Sequence, residues 1–148
     1  FKGGVTKRLP PVAFAVAQII KQYDVTLTGK NIVVLGKGKL VGEPVIDWFK
    51  TQGVEPKAFE YSSDKIERNI ALKNADIVVT GIGSSHFVKP EMLKKGVVLI
   101  DAGTSEQAGK LAGDCDPSCA DVTKVFSTVP GGVGPITVAG LFSNLAVE

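Results

Sequence analysis

The sequence is poor in the residues that most often mark reaction chemistry. Its 148 residues include two cysteines, Cys115 and Cys119, and one histidine, His86. Two cysteines are too few for a disulfide scaffold and suit a reducing compartment, so a cytoplasmic location is expected. The run Asp114-Cys115-Asp116-Pro117-Ser118-Cys119 has metal-ligand residue types. A metal site needs several converging ligands, however, and His86 is distant, so two reduced thiols and no metal are expected. No pairing of His, Cys or Ser with acids has the spacing of a nucleophilic site. Charge of one sign is also scarce: the net charge is +2 and evenly spread, which argues against nucleic acid or a membrane surface as partner. The longest apolar runs, such as Val97-Val98-Leu99-Ile100, are strand length and too short to span a bilayer. No apolar stretch followed by small residues opens the chain, so no signal peptide is expected, and a start at Phe1 rather than Met reads as a processed or excised product. Repeats, low-complexity tracts and linkers are absent. What remains is one domain with 44% hydrophobic content, enough for a core.

Short apolar β-rich runs alternate with helical patterns. A helix is expected over about Pro11–Tyr23, with Val12, Val16, Ile19, Ile20 and Tyr23 at helical spacing. Ile32–Leu35 is a continuous apolar strand of the kind buried in a parallel sheet. A helix over about Glu43–Thr51 follows, with Pro44 in its first turn and Val45, Trp48 and Phe49 facing the sheet. Further strands are expected at Lys57–Tyr61, Asp76–Thr80, Val97–Asp101 and Val125–Thr128. Helices are expected at Asp64–Asn74, with Asp64 as cap, at Pro90–Leu93 (short) and at Pro135–Ala146. The alternation predicts a Rossmann-type, doubly wound α/β fold with a mainly parallel sheet.

The segment Gly36-Lys37-Gly38-Lys39-Leu40-Val41-Gly42-Glu43-Pro44 lies between the first strand and its helix. Gly36 lets the chain turn off the strand, Gly38 leaves room for a pyrophosphate, and Gly42 permits close helix–strand contact. The helix N-terminus would present N–H groups and a partial positive charge, and Lys37 or Lys39 a cation. The spacing G-x-G-x-x-x-G is one residue longer than the usual dinucleotide fingerprint. Placement after a buried strand and before a helix favours phosphate binding over an ordinary turn. Glu60 stands close to the acidic position expected about 20 residues beyond the loop, which favours a free ribose hydroxyl and hence NAD. Ser62, Ser63 and Lys65 would instead suit a 2′-phosphate and hence NADP, and the choice stays open. After the third strand, Gly81 and Gly83 are candidates for backbone contact with the cofactor. His86 beyond them reads as an exposed loop histidine rather than an acid–base group.

Several segments together resemble the methylenetetrahydrofolate dehydrogenase/cyclohydrolase family. They are Tyr23–Lys30, Gly36–Pro44, Ala75–Val78, Phe87-Val88, Lys94–Gly103, the Gly109–Asp114 turn that looks like G-K-L-x-G-D, and above all Val129-Pro130-Gly131-Gly132-Val133-Gly134-Pro135-Ile136-Thr137. The last string also has a reading of its own: three glycines allow an unusual path that two prolines stiffen. The resemblance covers about residues 9 to 146 in one collinear order. It departs at Gly38, where the family has serine, at Thr104-Ser105, at Pro10–Ala13, and at Tyr61–Lys65.

The resemblance implies a nicotinamide cofactor, NADP or NAD, with Gly36, Lys37 and Gly38 at the pyrophosphate and Gly42 behind them; Glu60 or Ser63 would meet the adenosine ribose, according to which cofactor is bound. It implies that Thr104, Gly132, Gly134 and Thr137 lie nearer the nicotinamide. The folate substrate and a catalytic Tyr-x-x-x-Lys motif would belong to an N-terminal domain absent from this chain, and the family suggests a homodimer. Tyr61–Lys65 reproduces Tyr-x-x-x-Lys in form only, because it leaves the second strand, where the adenosine end of a cofactor sits. The rival expectation is a dinucleotide-binding module without catalysis, motivated by the altered loop residues. The Val129–Thr137 string argues against the cofactor domain of another dehydrogenase.

Overall fold

The computed structural model describes residues 9–39, 41–103, 105–107 and 110–127. In order these form α1 (Pro11–Gln22), β1 (Ile32–Leu35), α2 (Gly42–Thr51), β2 (Lys57–Phe59), α3 (Lys65–Asn74), β3 (Ile77–Thr80), a 3-10 turn (Pro90–Met92) and β4 (Val97–Asp101). There follow β5 (Ser105–Gln107), β6 (Lys110–Ala112), a second 3-10 turn (Pro117–Asp121) and β7 (Thr123–Ser127). Five strands pair in parallel in the order β2-β1-β3-β4-β7, while β5 and β6 form a separate antiparallel ribbon.

The continuous apolar runs are explained by two covered faces. Side chains alternate across the pleat: Ile32, Val34, Ile77, Val79, Val98 and Ile100 meet α1 and α2 on one side, packing on Val16, Ile19, Val45, Trp48 and Phe49. Val33, Leu35, Val78, Val97 and Leu99 meet Leu72 of α3 on the other, where Val88, Leu93, Cys115 and Cys119 complete the layer. Among the described residues that second layer is built from one helix, two 3-10 turns and loops. The expected doubly wound fold is therefore present.

Local chemistry moves several element boundaries from those expected. Tyr23 falls outside α1 and is 49% exposed, because Asp24 turns the chain into the left-handed region (φ 51°). Strand β2 stops at Phe59, since the Glu60 N–H donates to Ser63 Oγ at 2.7 Å instead of extending the ladder. Asp76 stands just ahead of β3, its carboxylate accepting the Asn31 N–H at 2.9 Å and pairing with Lys94, which holds its pKa below the usual range. Asp64 does cap α3, accepting from the Glu67 N–H at 2.9 Å. The short helix at 90–93 is a single 3-10 turn ending at Met92. Strand β7 begins two residues early, at Thr123, across an irregularity in its register with β4. The turn expected at Gly109–Asp114 is instead largely strand, Lys110–Ala112 pairing with Ser105–Gln107. The helix expected at Pro135–Ala146 and the strand end at Thr128 lie outside the described residues.

Phe49 is fully buried against the sheet, whereas Ile66 is 72% exposed on α3. Phe49→Ala is expected to cost about 3–5 kcal/mol in guanidinium unfolding, and Ile66→Ala less than about 0.5 kcal/mol.

Candidate functional site at the carboxyl edge of the sheet

Strands β1 and β3 are neighbours, with Leu35 opposite Thr80, but the chain leaves them in opposite directions, from β1 toward β2 and from β3 toward β4. A crevice at such a switch point, outside the carboxyl ends of the strands, is where open α/β sheets take ligands. Gly36 turns off β1 with φ +100°, and the Gly81 N–H donates to the Leu35 carbonyl at 2.7 Å. A β-carbon on Gly36 would stand 2.6 Å from the Gly81 carbonyl oxygen. A β-carbon on Gly42, the first residue of α2, would overlap the Gly36 carbonyl, and one on Gly81 would overlap the Val41 side chain. These three glycines are thus required by the protein's own packing, as expected for Gly42.

Gly38 is different. It is exposed, its carbonyl accepts the Glu43 N–H at 2.8 Å, and a β-carbon there would meet nothing within 4 Å. The folded chain would accept a side chain at 38, so any demand for glycine comes from a ligand. Lys37 and Lys39 flank it, both exposed. No side chain caps the start of α2 at Val41, and Glu43 lies in its first turn.

At the neighbouring end of β2, residues 60–63 close into a turn with reciprocal bonds. The Glu60 N–H donates to Ser63 Oγ at 2.7 Å, and the Ser63 N–H donates to the Glu60 carbonyl at 3.0 Å. Glu60 is exposed and Ser63 half-buried, both at the rim beside the glycine loop.

The third rim segment, 81–84 after β3, is held by a carboxylate. The Asp114 side chain accepts N–H bonds from Ile82 (2.8 Å), Gly83 (2.9 Å) and Ser84 (3.0 Å). Asp101, at the end of β4, accepts from the Thr80 hydroxyl and from the N–H groups of Gly103, Asp114 and Cys115 at 2.9–3.1 Å. Both acids are buried, and side chains at Gly103 or Gly113 would collide with the Asp114 and Asp101 carboxylates respectively. Burial pushes the Asp114 carboxyl above its ordinary value, and its hydrogen bonds only partly oppose that. The Gly83 N–H is thereby committed to Asp114.

His86 is half-buried rather than exposed, because its N–H donates to the Gly113 carbonyl at 3.0 Å with φ 54°. Both cysteines are free and buried. Burial pushes the Cys119 thiol up to about 11 and that of Cys115 further still, so both stay protonated and unreactive.

The eight expected residues that the structure describes thus lie along one edge. Gly36, Gly42 and Gly81 are packed together, Lys37 and Gly38 lie outside them, Glu60 and Ser63 share the turn after β2, and Gly83 is in the loop after β3. Thr104, Gly132, Gly134 and Thr137 lie outside the described residues. Asp101 and Asp114 had no part in the rim expected from sequence, although Asp101 ends the apolar run Val97–Ile100 and Asp114 follows Gly113 and opens the run weighed for metal ligands. A concavity of about 620 Å³ lies elsewhere, between α3 and the amino ends of β1 and β2, lined by Lys30, Asn31, Lys57 and Ile70 among others. It is at the wrong end of a parallel sheet for a cofactor.

This sheet, with a glycine-packed strand-to-helix turn at its switch point, defines a Rossmann-type α/β domain. Residues 10–148 match the family described as tetrahydrofolate dehydrogenase/cyclohydrolase, NAD(P)-binding domain, and the chain belongs to that family. It is 36% identical over 136 residues to the bifunctional protein FolD of Thermotoga petrophila, covering 92% of this chain and 50% of that protein. Among solved structures it is similar to the methylenetetrahydrofolate dehydrogenase-cyclohydrolase of Trypanosoma brucei, crystallised with NADP cofactor and an inhibitor (TM-score 0.83, 30% identity, 92% of this chain and 48% of that one). The bifunctional FolD of Campylobacter jejuni gives a TM-score of 0.85 at 27% identity, over 95% of this chain and 50% of that one. The chain spans about half the length of the curated relatives it matches.

Stability measurements on three variants, and a pH series, test this arrangement. Gly38→Ala is expected to change unfolding free energy by less than about 0.5 kcal/mol, and Gly42→Ala to cost about 1–3 kcal/mol through overpacking. Asp114→Asn is expected to cost about 1–3 kcal/mol, because its amide nitrogen would face N–H donors. The folded state of the native chain keeps the Asp114 proton to higher pH than the unfolded chain does. Its stability should therefore fall as pH rises from 3.8 through the raised value. Denaturation midpoints followed against pH should show that slope in the native chain and lack it in Asp114→Asn.

Proposed function

We propose that this chain is the dinucleotide-binding half of a 5,10-methylenetetrahydrofolate dehydrogenase that also has methenyltetrahydrofolate cyclohydrolase activity. Its cofactor is NADP or NAD. The observation that carries the reading is the contrast within one loop: Gly36, Gly42 and Gly81 are closed on one another, while the space beside Gly38 is open. Family membership and the half-length match to the curated relatives support a separate folate-binding half in the whole protein.

In this reading the backbone from Gly36 to Gly42 and the start of α2 receive the pyrophosphate, with Lys37 adding charge. The Glu60–Ser63 turn meets the adenosine ribose, and the loop from Gly81 to Gly83, clamped by Asp114, closes the other side of the crevice. By family resemblance, Thr104, Gly132, Gly134 and Thr137 serve the nicotinamide end. When bound, the nicotinamide supplies hydride transfer. This chain's residues bind and orient it, and proton transfer at the folate falls to the other half. A homodimer and a cytoplasmic setting go with the same reading. A dinucleotide-binding module without catalysis is the second reading, favoured by the departures at Gly38 and Tyr61–Lys65. A folate domain with Tyr-x-x-x-Lys encoded ahead of Phe1 would decide for the enzyme.

Calorimetric titration with NAD and NADP is expected to give saturable binding that Gly38→Leu abolishes, and unchanged affinity in that variant would put the phosphates elsewhere. Residues 1–148 alone are expected to turn over 5,10-methylenetetrahydrofolate negligibly. Robust activity would overturn the division of labour.

A further inference from the structure

Among the described residues, one buried charge beside the rim has no counter-ion. Arg68 on α3 is only 5% exposed, yet the acceptor its guanidinium reaches is a neutral one, the Tyr61 carbonyl, at 3.0 Å from Nη1. Its guanidinium carbon stands 4.7 Å from the centre of the Phe87 ring, which in turn contacts the Tyr61 ring. Its Nε is buried with no hydrogen-bond partner. Among the described residues the ion pairs are Lys89–Asp116 and Lys94–Asp76, and neither involves Arg68. A buried guanidinium is normally paired with an anion, because a carbonyl and a ring face offset only part of its lost hydration. The chain thus holds a buried positive charge in hydrogen-bond contact with the turn that follows β2.

We infer that Arg68 is a specificity-determining residue that favours a dinucleotide carrying a 2′-phosphate on its adenosine ribose over one with a free 2′-hydroxyl. The inference rests on the dinucleotide reading above. The turn formed by residues 60–63 is where such a sheet reads the adenosine ribose, and Arg68 is bonded to the middle of that turn. Two carboxylates compete in sign, Glu60 and Asp64. Both are exposed, so water and salt screen them, and the Asp64 carboxylate already accepts the Glu67 N–H. Arg68 is shielded from solvent, and its field on a group at the turn is correspondingly less screened. Ser62 and Lys65, both exposed at the turn and at the start of α3, supply the direct contacts. Arg68 acts through its charge rather than by touching the phosphate.

The test is calorimetry on the full chain with NADP, NAD, 2′,5′-ADP and 5′-AMP. The variants are Arg68→Gln, which keeps a donor for the Tyr61 carbonyl without the charge, Arg68→Met, and Arg68→Lys. The native chain should prefer the 2′-phosphorylated member of each pair by about tenfold or more, which is about 1.4 kcal/mol. Either neutral variant that folds should lose that preference while keeping its affinity for 5′-AMP, and Arg68→Lys should retain most of it. A native chain that binds NAD more tightly than NADP overturns the inference and leaves the dinucleotide reading standing. So does a neutral variant whose preference is unchanged, or one that loses both members of a pair alike, as a mere brace would. A folded native chain that binds none of the four overturns the dinucleotide reading itself.

Discussion

The carboxyl edge of the sheet is organised by two buried carboxylates. Asp101 gathers the Thr80 hydroxyl and three backbone N–H groups, including that of Asp114, and the Asp114 side chain gathers three more from the loop after β3. A buried acid is costly unless donors surround it, and here the donors are backbone groups that would themselves be costly if left unpaired. Each side of the arrangement answers the other's need. Loops that would otherwise be free to move at the ends of β3 and β4 are fixed to each other and to the sheet. Among the described residues, this is also how one face carries a single helix and two 3-10 turns.

Placement follows from that edge. The glycine loop packs directly on Gly81, and Gly81 opens the segment that Asp114 holds. The loop after β1 therefore rests on a base set by an acid contributed from well beyond β4. The turn after β2 is self-supporting through the reciprocal Glu60–Ser63 bonds, and Arg68 ties it to Phe87 on the loop after β3. All three rims of the crevice are held by contacts within the protein itself, the kind of preorganisation that lowers the entropy a binding event must offset.

The fold was legible because its strands are buried on both faces. Ile32–Leu35 and Val97–Asp101 could be bounded to the residue from their apolar runs, and Asp64 announced α3 as its cap. Boundaries failed where a side chain captures backbone, as Ser63 does at the end of β2, or where pairing carries no hydrophobic pattern, as in the β5–β6 ribbon. In the site, the roles of Gly36 and Gly42 were readable from spacing. Asp101, Asp114 and Arg68 were not, because their importance depends on burial and on donors distant in sequence. An acid at a strand end and an arginine in a helix look like surface residues until their surroundings are known.

Gly103 and Gly113 have a bearing on how this domain can change over time. Each owes its missing side chain to the volume filled by an acid across from it, Asp114 and Asp101 respectively. A larger residue at either glycine is excluded while its acid remains, and removing the acid first strands the N–H groups it satisfied. Either substitution taken first costs stability, so within each glycine–acid couple drift at one position is opposed by its mate.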